Sequence, residues 1–385
     1  MKYDVAVIGG GAAGLACAVR LAENGKLKIA LIDAGERLGK KLAATGNGQG
    51  NVSNTDMTVE HFFGSCAPLA DKIACKDPYA GSKIFDCIFF ADEKGRIYPT
   101  GRQASALSDC LIRKISGKAD IYLGAKVTDI DKGFIIALSD GRRIEAKFVV
   151  FCAGGKAQKQ FKTDGSSYKL LEEFGHTVTP LYPSLVQIKT ETKHIRALKG
   201  IRVDCEASAF VCGKKIKTFR GDVIFTEYGL SGNAVFSLSP YITDKPESEI
   251  CLCFLPDIPD GRIIAVLENR KKSGMKEEEL LSGILHNQLG RAIIARAGNN
   301  ANDIVRTLKN FTLLVTGTLG FDYAQVTRGG IPADEITEEL ESKLVKNLFI
   351  AGEALDVDGD CGGYNLQWAF TSGIHAAESI LKNYE

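Results

Sequence analysis

Long apolar runs are missing from this sequence. No stretch of 18 apolar residues occurs, and the amino-terminal MKYDVAVIGGG reaches glycine before a signal-peptide core could form. We therefore expect neither a membrane-spanning helix nor a secretory signal. A strong charge of either sign is also missing, since the net charge is +1 at pH 7. The whole molecule thus has no field that would attract nucleic acid or a membrane.

Cysteine patterns for disulfides or metals are missing as well. The eleven cysteines are an odd number with no CxxC pair, and the five histidines show no zinc-type spacing with cysteine. We expect a protein of the reducing cytoplasm that has no disulfide framework and no structural metal.

Glycine, by contrast, is abundant, with 41 in 385 residues against a usual share of about 7%. The first cluster lies within residues 3–25, which read as a buried strand, a tight turn and a helix. The turn, GGGAAG over residues 9–14, matches G-x-G-x-x-G. Gly9 permits the turn, Gly11 lets backbone approach a pyrophosphate, and Gly14 lets helix and strand pack closely. The sequence thus predicts a dinucleotide site.

An acidic residue follows at the spacing that such a site requires. The next apolar strand ends at Asp33, where a carboxylate can bind a ribose hydroxyl and would repel a 2′-phosphate. This favours FAD or NAD over NADP. Residues 37–54, RLGKKLAATGNGQGNVSN, are too polar for the next strand of an NAD domain. They suit a second anionic or multi-acceptor group, such as the flavin end of a long cofactor, with an ordinary solvated loop as the alternative. No second G-x-G-x-x-G occurs, so a dedicated NAD(P)H domain is not expected, although NAD(P)H could react transiently at the flavin.

The chain changes character along its length. Residues 121–155 read as a strand meander that ends in Ala153-Gly154-Gly155, a further close approach of backbone to the cofactor. Short antiparallel strands and then amphipathic helices follow, before α/β character returns. We predict an FAD-binding domain formed by residues 1–187 and 319–385. The domain inserted into it is β-rich over 188–258 and helical over 259–318.

A last glycine cluster, AGEALDVDGDCGGYNLQWAF, occupies residues 351–370 and leads into a helix that begins near Gly363. Its bare backbone leaves room for a flat ring system, and Asp356 can accept bonds from ribityl or ribose hydroxyls. The helix end can stabilise negative charge on a reduced flavin. The two glycine-rich stretches, each opening a helix, are expected to bind opposite ends of one FAD molecule.

Several segments together resemble one family, and they include GKKLAATGNGQGNVSN, GRIYP, VVFCAGG, FTEYGLSGNAV, AQVTRGGI and FIAGEALDVDGDCGGYNLQWAFTSG. Over nearly its whole length the sequence resembles the bacterial flavoproteins of the YhiN/BaiN type. The resemblance implies an α/β, glutathione-reductase-like FAD-binding Rossmann domain with an inserted β-rich plus helical domain. Carried over by motif, the FAD contacts would be Gly9, Gly11, Ala13, Gly14, Asp33, Lys41, Gly46, Asn47, Ala153, Gly154, Gly352, Glu353, Asp356, Asn365 and Leu366.

Two places depart from the family pattern. The family usually reads GRCN where this chain has GQGN, so its Arg and Cys are replaced by Gln49 and Gly50. Threonine is usual at the position of Cys361. We hypothesise that Cys361 acts as the catalytic acid here, with a neutral substitution as the alternative. Further candidates for donating or orienting a proton are Tyr98, Tyr228 and Tyr364.

The resemblance implies an FAD-dependent oxidoreductase that transfers hydride from flavin N5 to an activated C=C bond of a small enone-type metabolite. An RNA-modifying flavoenzyme that forms dihydrouridine in rRNA is the alternative, and a flavin-binding or redox-sensing protein without turnover is a third. The stretch from Lys189 to Arg220 has nine basic residues against three acids. These charges could bind RNA phosphates or could simply be solvated.

Overall fold

The computed structural model describes residues 1–384, which form two compact units. Unit 1 comprises Met1–Tyr182 together with the residues from Gln325 onward, and unit 2 comprises Pro183–Ala324. Unit 2 is the inserted segment, and it extends beyond the predicted insert of residues 188–318 at both ends.

The secondary-structure elements are numbered here in chain order within residues 1–384. The strands are β1 (Lys2–Ile8), β2 (Ile29–Ile32), β3 (Ser53–Asn54), β4 (Phe62–Phe63), β5 (Phe89–Ala91), β6 (Arg96–Pro99), β7 (Asp120–Tyr122), β8 (Val127–Ile130), β9 (Ile135–Leu138), β10 (Arg143–Phe151), β11 (Tyr182–Ser184), β12 (Ile188–Thr190), β13 (Arg202–Val211), β14 (Lys214–Phe225), β15 (Gly229–Ser231), β16 (Ser248–Cys253), β17 (Phe311–Thr318), β18 (Val326–Arg328), β19 (Leu348–Ile350) and β20 (Asp358–Gly359). The α-helices are α1 (Ala12–Ala22), α2 (Lys40–Ala43), α3 (Ala67–Ile73), α4 (Ala104–Ile115), α5 (Tyr168–Glu173), α6 (Asn233–Leu238), α7 (Asp260–Lys272), α8 (Asn287–Ala297), α9 (Ala301–Lys309) and α10 (Tyr364–Tyr384).

The main sheet of unit 1 has the order β7-β2-β1-β10-β9-β8, and β19 also pairs with β10. The strands β7, β2, β1, β10 and β19 pair in parallel, whereas β9 is antiparallel to β10 and β8 is antiparallel to β9. Parallel strands are usually buried on both faces and therefore apolar along their length. Accordingly, Val5, Ala6 and Val7 of β1 have no exposed surface. The carboxyl end of β1 then enters the first glycine turn.

The first and last helices of the chain pack against each other in unit 1. A Cβ atom added to Gly373 of α10 would lie 2.2 Å from the carbonyl oxygen of Ala13 in α1. One added to Gly352 would lie 2.9 Å from the Ala13 side chain. Only glycine permits so close an approach. The two sequence-distant glycine-rich stretches therefore meet, as the sequence predicts.

Unit 2 is built on a closed antiparallel barrel in the order β12-β15-β14-β13-β16-β17. Apolar side chains fill one core shared by the barrel and the helices α7, α8 and α9, including Val223, Leu267 and Leu313. The predicted helical segment 259–318 is wrong at its end, because Phe311–Thr318 is strand β17. This strand closes the barrel between β16 and β12, and such long-range pairing leaves no local sequence signal.

Candidate functional site

The turn between β1 and α1 contains glycines of two kinds. A Cβ on Gly9, whose φ is +102°, would lie 2.3 Å from the carbonyl oxygen of Cys152, and one on Gly14 would lie 1.8 Å from that of Gly9. The fold itself therefore requires these two glycines. A Cβ on Gly11 would meet nothing within 4 Å, so the space beside Gly11 is open to a ligand.

The start of α1 suits an anion. No side chain caps the helix at Gly11, and its first turn contains no acidic residue. The N–H groups at a helix start lack partners within the helix and carry partial positive charge, so they can bind phosphate oxygens. The Ala13 position predicted to contact FAD lies in this first turn.

Asp33 lies directly beneath the same turn. Its Oδ2 accepts a hydrogen bond from the Gly10 N–H at 2.6 Å, and its Oδ1 accepts one from Gly35 at 2.6 Å. Burial raises the pKa of the Asp33 carboxyl, although the two backbone bonds act in the opposite direction. Each carboxylate oxygen keeps a further lone pair, so a ribose hydroxyl could still bind.

Four predicted contacts from distant segments converge near the end of β10. Ala153 and Gly154 follow that strand, with Gly154 at a φ of +76°. Lys41 Nζ donates to Glu353 Oε2 at 2.8 Å, and Glu353 Oε1 accepts from the Thr327 N–H at 2.9 Å. Lys41, Glu353 and the Thr327 N–H thus form a half-buried polar network beside the turn that begins at Gly352.

Trp368 supports this turn from α10. Its Nε1–H donates to the Gly352 carbonyl at 3.0 Å, and the Gly352 N–H donates to Ser372 Oγ at 3.0 Å. Trp368 is buried. The indole thus fixes the backbone of the turn rather than offering a surface to a ligand.

The glycine-rich loop after α2 has left-handed backbone at four positions, Gly46, Asn47, Gly48 and Gly50. A Cβ on Gly50 would lie 3.0 Å from Leu107 Cδ1 and 3.1 Å from Ala104 Cα, whereas one on Gly48 would meet nothing within 4 Å. Packing against α4 therefore favours glycine at position 50, where the family usually has cysteine. The exposed loop surface lies on the Gly48 side.

Asp356 and Asn365 brace the carboxyl-terminal loop. Asp356 Oδ2 accepts from the Ser65 N–H at 3.0 Å and from Ser65 Oγ at 2.7 Å. Asn365 Oδ1 accepts from the Gly359 N–H, and its Nδ2 donates to the Gly359 carbonyl, both at 2.8 Å. Their contact with FAD stays a prediction, as does that of the half-buried Leu366 in the first turn of α10.

Two charged pairs that the sequence did not indicate also hold this loop. Arg328 donates to both carboxylate oxygens of Asp358, at 3.0 and 3.2 Å, and lies over the Phe63 ring. His61 pairs with Asp360 at 3.0 Å and with Asp56 at 3.1 Å. The hydrogen bond to Asp360, followed by that to Asp56, raises the pKa of His61. The acids were visible in the sequence, but their partners come from other segments.

Three of the candidate proton donors are neighbours. The ring of Tyr364 stacks on His61 with centroids 4.4 Å apart. Burial raises the pKa of Tyr364 and that of Tyr98. Cys361 lies three residues before Tyr364, and Tyr98 lies in β6, whose partner strand β3 contacts the same loop because Asn54 Nδ2 donates to the Gly362 carbonyl at 3.1 Å. The fourth candidate, Tyr228, is half-buried in unit 2.

The basic stretch of unit 2 is partly neutralised. Three of its cations pair with acids: Lys199 with Glu227, Arg202 with Asp222 and Arg220 with Asp257. The tip of the β13–β14 hairpin exposes Lys214, Lys215 and Lys217. Lys217 lies over the rings of Phe219 and Tyr241. The cations outside these three ion pairs are the hairpin-tip lysines together with the exposed Lys189, Lys193 and Arg196.

Two further observations concern residues 1–384 as a whole. No helix in this range has the length and apolarity to cross a membrane. The same residues contain no group of three or more His, Cys, Asp or Glu side chains that could hold a metal ion.

Comparison with known proteins gives matches along nearly the whole chain. The sequence profile of the HI0933-like protein Rossmann domain matches residues 3–379. The chain is 31% identical to the 3-dehydro-bile acid delta(4,6)-reductase of Clostridium scindens, over 98% of this chain and 99% of that protein. It is 27% identical to the ribosomal RNA dihydrouridine synthase of Haemophilus influenzae, over 98% of each.

A solved structure shares the fold. The 3-ketosteroid delta1-dehydrogenase from Sterolibacterium denitrificans aligns with a TM-score of 0.51 and 12% identity, over 99% of this chain and 100% of that one. Together with the family match, this confirms the predicted α/β fold class with a Rossmann-type domain and an additional β domain.

Proposed function

This chain belongs to the HI0933-like Rossmann family and is an FAD-dependent oxidoreductase, and we propose that it reduces an activated C=C bond of a small enone-type metabolite. The observation that carries the proposal is the placement of Cys361 and Tyr364 at the glycine loop before α10, with Tyr98 on β6 next to the strand β3 that contacts this loop. The 31% identity to a named bile-acid reductase along both full chains supports the same reaction class.

The residues present fit both the adenine-nucleotide end and the flavin end of FAD. In this proposal the N–H groups at the start of α1 bind the pyrophosphate of FAD, and the space beside Gly11 lets that pyrophosphate approach the backbone. Asp33 binds a ribose hydroxyl. The bound flavin supplies the hydride that the reaction needs. The Lys41–Glu353 pair, the turns at Ala153 and Gly352, and the loop at Gly46 and Asn47 complete the proposed binding surface.

The protein itself contributes the proton donor and holds that donor in position. The hydroxyls of Tyr98 and Tyr364 are protonated at neutral pH, because the ordinary tyrosine pKa of about 10 is well above 7 and burial raises the pKa of each further. A protonated hydroxyl can donate to the substrate carbon as the neighbouring carbon accepts hydride. His61 holds the Tyr364 ring in place by stacking. Cys361 is the third candidate donor.

The test is oxidation of the chemically reduced flavin by a small enone under anaerobic conditions, followed by stopped-flow absorbance. Tyr364→Phe or Tyr98→Phe should slow this step by about 100-fold or more if that hydroxyl is the acid. The exposed Tyr79→Phe is the matched control. An unchanged rate in Cys361→Ser would remove Cys361 as the acid. If no enone oxidises the wild-type flavin, the proposed reaction is wrong.

An RNA substrate is the second candidate. The 27% identity to a ribosomal RNA dihydrouridine synthase and the three exposed lysines at the tip of the β13–β14 hairpin favour it. RNA binding should weaken steeply with salt and should be lost when Lys214, Lys215 and Lys217 are changed to glutamine. Mass spectrometry of rRNA from a deletion strain would then show loss of dihydrouridine. Unchanged rRNA would instead favour the small-molecule substrate.

The electron donor and the location in the cell are also proposals. NAD(P)H is proposed to reduce the flavin transiently, because no second G-x-G-x-x-G motif provides a dedicated nicotinamide domain. Anaerobic mixing with NADH and with NADPH tests this directly. A cytoplasmic location is supported by the eleven cysteines, all within residues 1–384, none of which forms a disulfide. A flavin that no donor reduces would point to a binding or sensing role instead.

A further inference from the structure

Arg102 is an exposed residue that has a left-handed backbone conformation and a side chain in contact with two aromatic rings and an amide. It follows β6 and has a φ of +44°, a left-handed conformation that is strained for a residue with a side chain. Its guanidinium lies 4.9 Å from the centre of the Phe90 ring and 4.6 Å from that of Tyr98. Its Nη1–H donates to Gln49 Oε1 at 2.9 Å. Two aromatic rings and an amide thus hold the arginine in place.

The charge of Arg102 is not neutralised by a carboxylate. Within residues 1–384 the structure records contacts of its guanidinium with Gln49, Phe90 and Tyr98 and no ion pair. Arg96, which also lies near the Tyr98 ring, differs because it donates to Asp92 at 2.7 and 2.9 Å. A guanidinium has five N–H donors, and Arg102 uses one of them on Gln49. The others remain for a planar anionic group.

The position of Arg102 places this charge beside the candidate site. Gln49 belongs to the glycine-rich loop with left-handed backbone, next to the open space above Gly48. Tyr98, beneath the guanidinium, lies in β6, and Asn54 of the neighbouring strand β3 donates to the Gly362 carbonyl at 3.1 Å in the loop before α10. The arginine therefore lies at the edge of the group of candidate proton donors rather than on a distant surface.

We propose that Arg102 binds an anionic group of the substrate, a carboxylate or a phosphate, and so selects acidic substrates over neutral ones. The inference rests on the proposed function, because it assigns a substrate class to the same site. Guanidinium pairs with carboxylate and phosphate through two parallel hydrogen bonds, and rings beneath it fix its orientation. Gln49, a neutral amide, orients Arg102 without cancelling its charge.

The test measures binding to the FAD-loaded protein by isothermal titration calorimetry. The first probes are 4-oxopentanoate, a saturated keto acid, and its uncharged methyl ester. The second probes are a single-stranded RNA of about ten nucleotides and the uncharged morpholino oligomer of the same sequence. Wild type is compared with Arg102→Gln, Arg102→Lys and a control, Arg142→Gln. Arg142 is also an exposed arginine over an aromatic ring, that of Tyr122.

Wild type should bind the acid at least about tenfold more tightly than the ester, and Arg102→Gln should abolish that difference. Arg102→Lys should keep part of it, and Arg142→Gln should keep all of it. If the preference appears only for RNA over morpholino and is lost in Arg102→Gln, the anionic group is a phosphate. If Arg102→Gln retains wild-type affinity for both the acid and the RNA, the proposal is overturned. Because binding is measured without turnover, absence of enone reduction would not affect this result.

Discussion

The two glycine-rich turns that precede α1 and α10 differ in what surrounds their glycines. In the first, the fold requires Gly9 and Gly14, while Gly11 faces open space. In the second, a Cβ on Gly363 would lie 2.3 Å from the Ser53 carbonyl, and the ion pairs of Asp358 and Asp360 hold the flanking residues. The backbone of the first turn is thus open to a ligand at Gly11, whereas close packing and ion pairs fix the backbone of the second turn. Mutations should separate the two by their effects on stability and on flavin binding.

The largest loss of stability is expected at Gly14. In Gly14→Ala the new Cβ would lie 1.8 Å from the Gly9 carbonyl oxygen, a backbone atom that cannot move without breaking the turn. The free energy of unfolding should fall by more than about 4 kcal/mol, measured by urea denaturation of the flavin-free protein. Gly261→Ala, where a Cβ meets nothing within 4 Å, is the control. Equal stability of the two variants would contradict the packing role of Gly14.

The next largest effect is expected from the buried ion pair of the second turn. Arg328→Ala removes the guanidinium that donates to both oxygens of the Asp358 carboxylate, whose side chain is 1% exposed. Breaking one side of such a pair costs about 3–5 kcal/mol. The exposed pair of Arg142 with Asp140 should contribute far less to stability, because solvent screens it, so Arg142→Ala should change the free energy of unfolding only slightly. Recovery of stability when Asp358→Asn is added to Arg328→Ala would identify the stranded charge as the cause.

A smaller, pH-dependent effect is expected at His61. The pKa of His61 is raised from an ordinary value of 6.5 by its hydrogen bond to Asp360. Its contribution to stability is therefore fully present below about pH 6.5 and is lost as the pH rises through the raised value. His61→Gln should cost about 1–2 kcal/mol at pH 6 and less at pH 9. Thermal unfolding of both proteins across this range provides the measurement. A deficit that stayed constant or grew with pH would contradict the protonated assignment.

The smallest effect on stability is expected at Gly11, together with loss of the cofactor. A side chain in Gly11→Val enters open space, so the unfolding free energy of the flavin-free protein should change by less than about 0.5 kcal/mol. The same side chain would block the close approach of a pyrophosphate, and the purified variant should lack the yellow flavin absorbance. Undiminished absorbance would show that the cofactor does not use this turn.

Local motifs predicted the parts of the site that depend on nearby residues. The strand, turn and helix around Gly9–Gly14 and the position of Asp33 follow from spacing alone. Asp356 was predicted to accept from ribityl or ribose hydroxyls, which stays a prediction, and in the structure its Oδ2 accepts from the hydroxyl of Ser65, 291 residues away. The sequence could not reveal this partner, nor those of His61, Arg102 and Arg328. The closing of the barrel by β17 was missed for the same reason, because strand pairing over long separations has no local signature.

The packing of α10 on α1 has a consequence for how the protein is made. Helix α1 is synthesised before unit 2, and α10 is synthesised after it. Unit 2 is a continuous segment and can complete its fold during synthesis. The turn between β1 and α1, by contrast, lacks its packing partner until α10 has been made. We therefore expect cofactor capture to follow the synthesis of α10, and a premature stop before α10 should yield a polypeptide that cannot retain the cofactor.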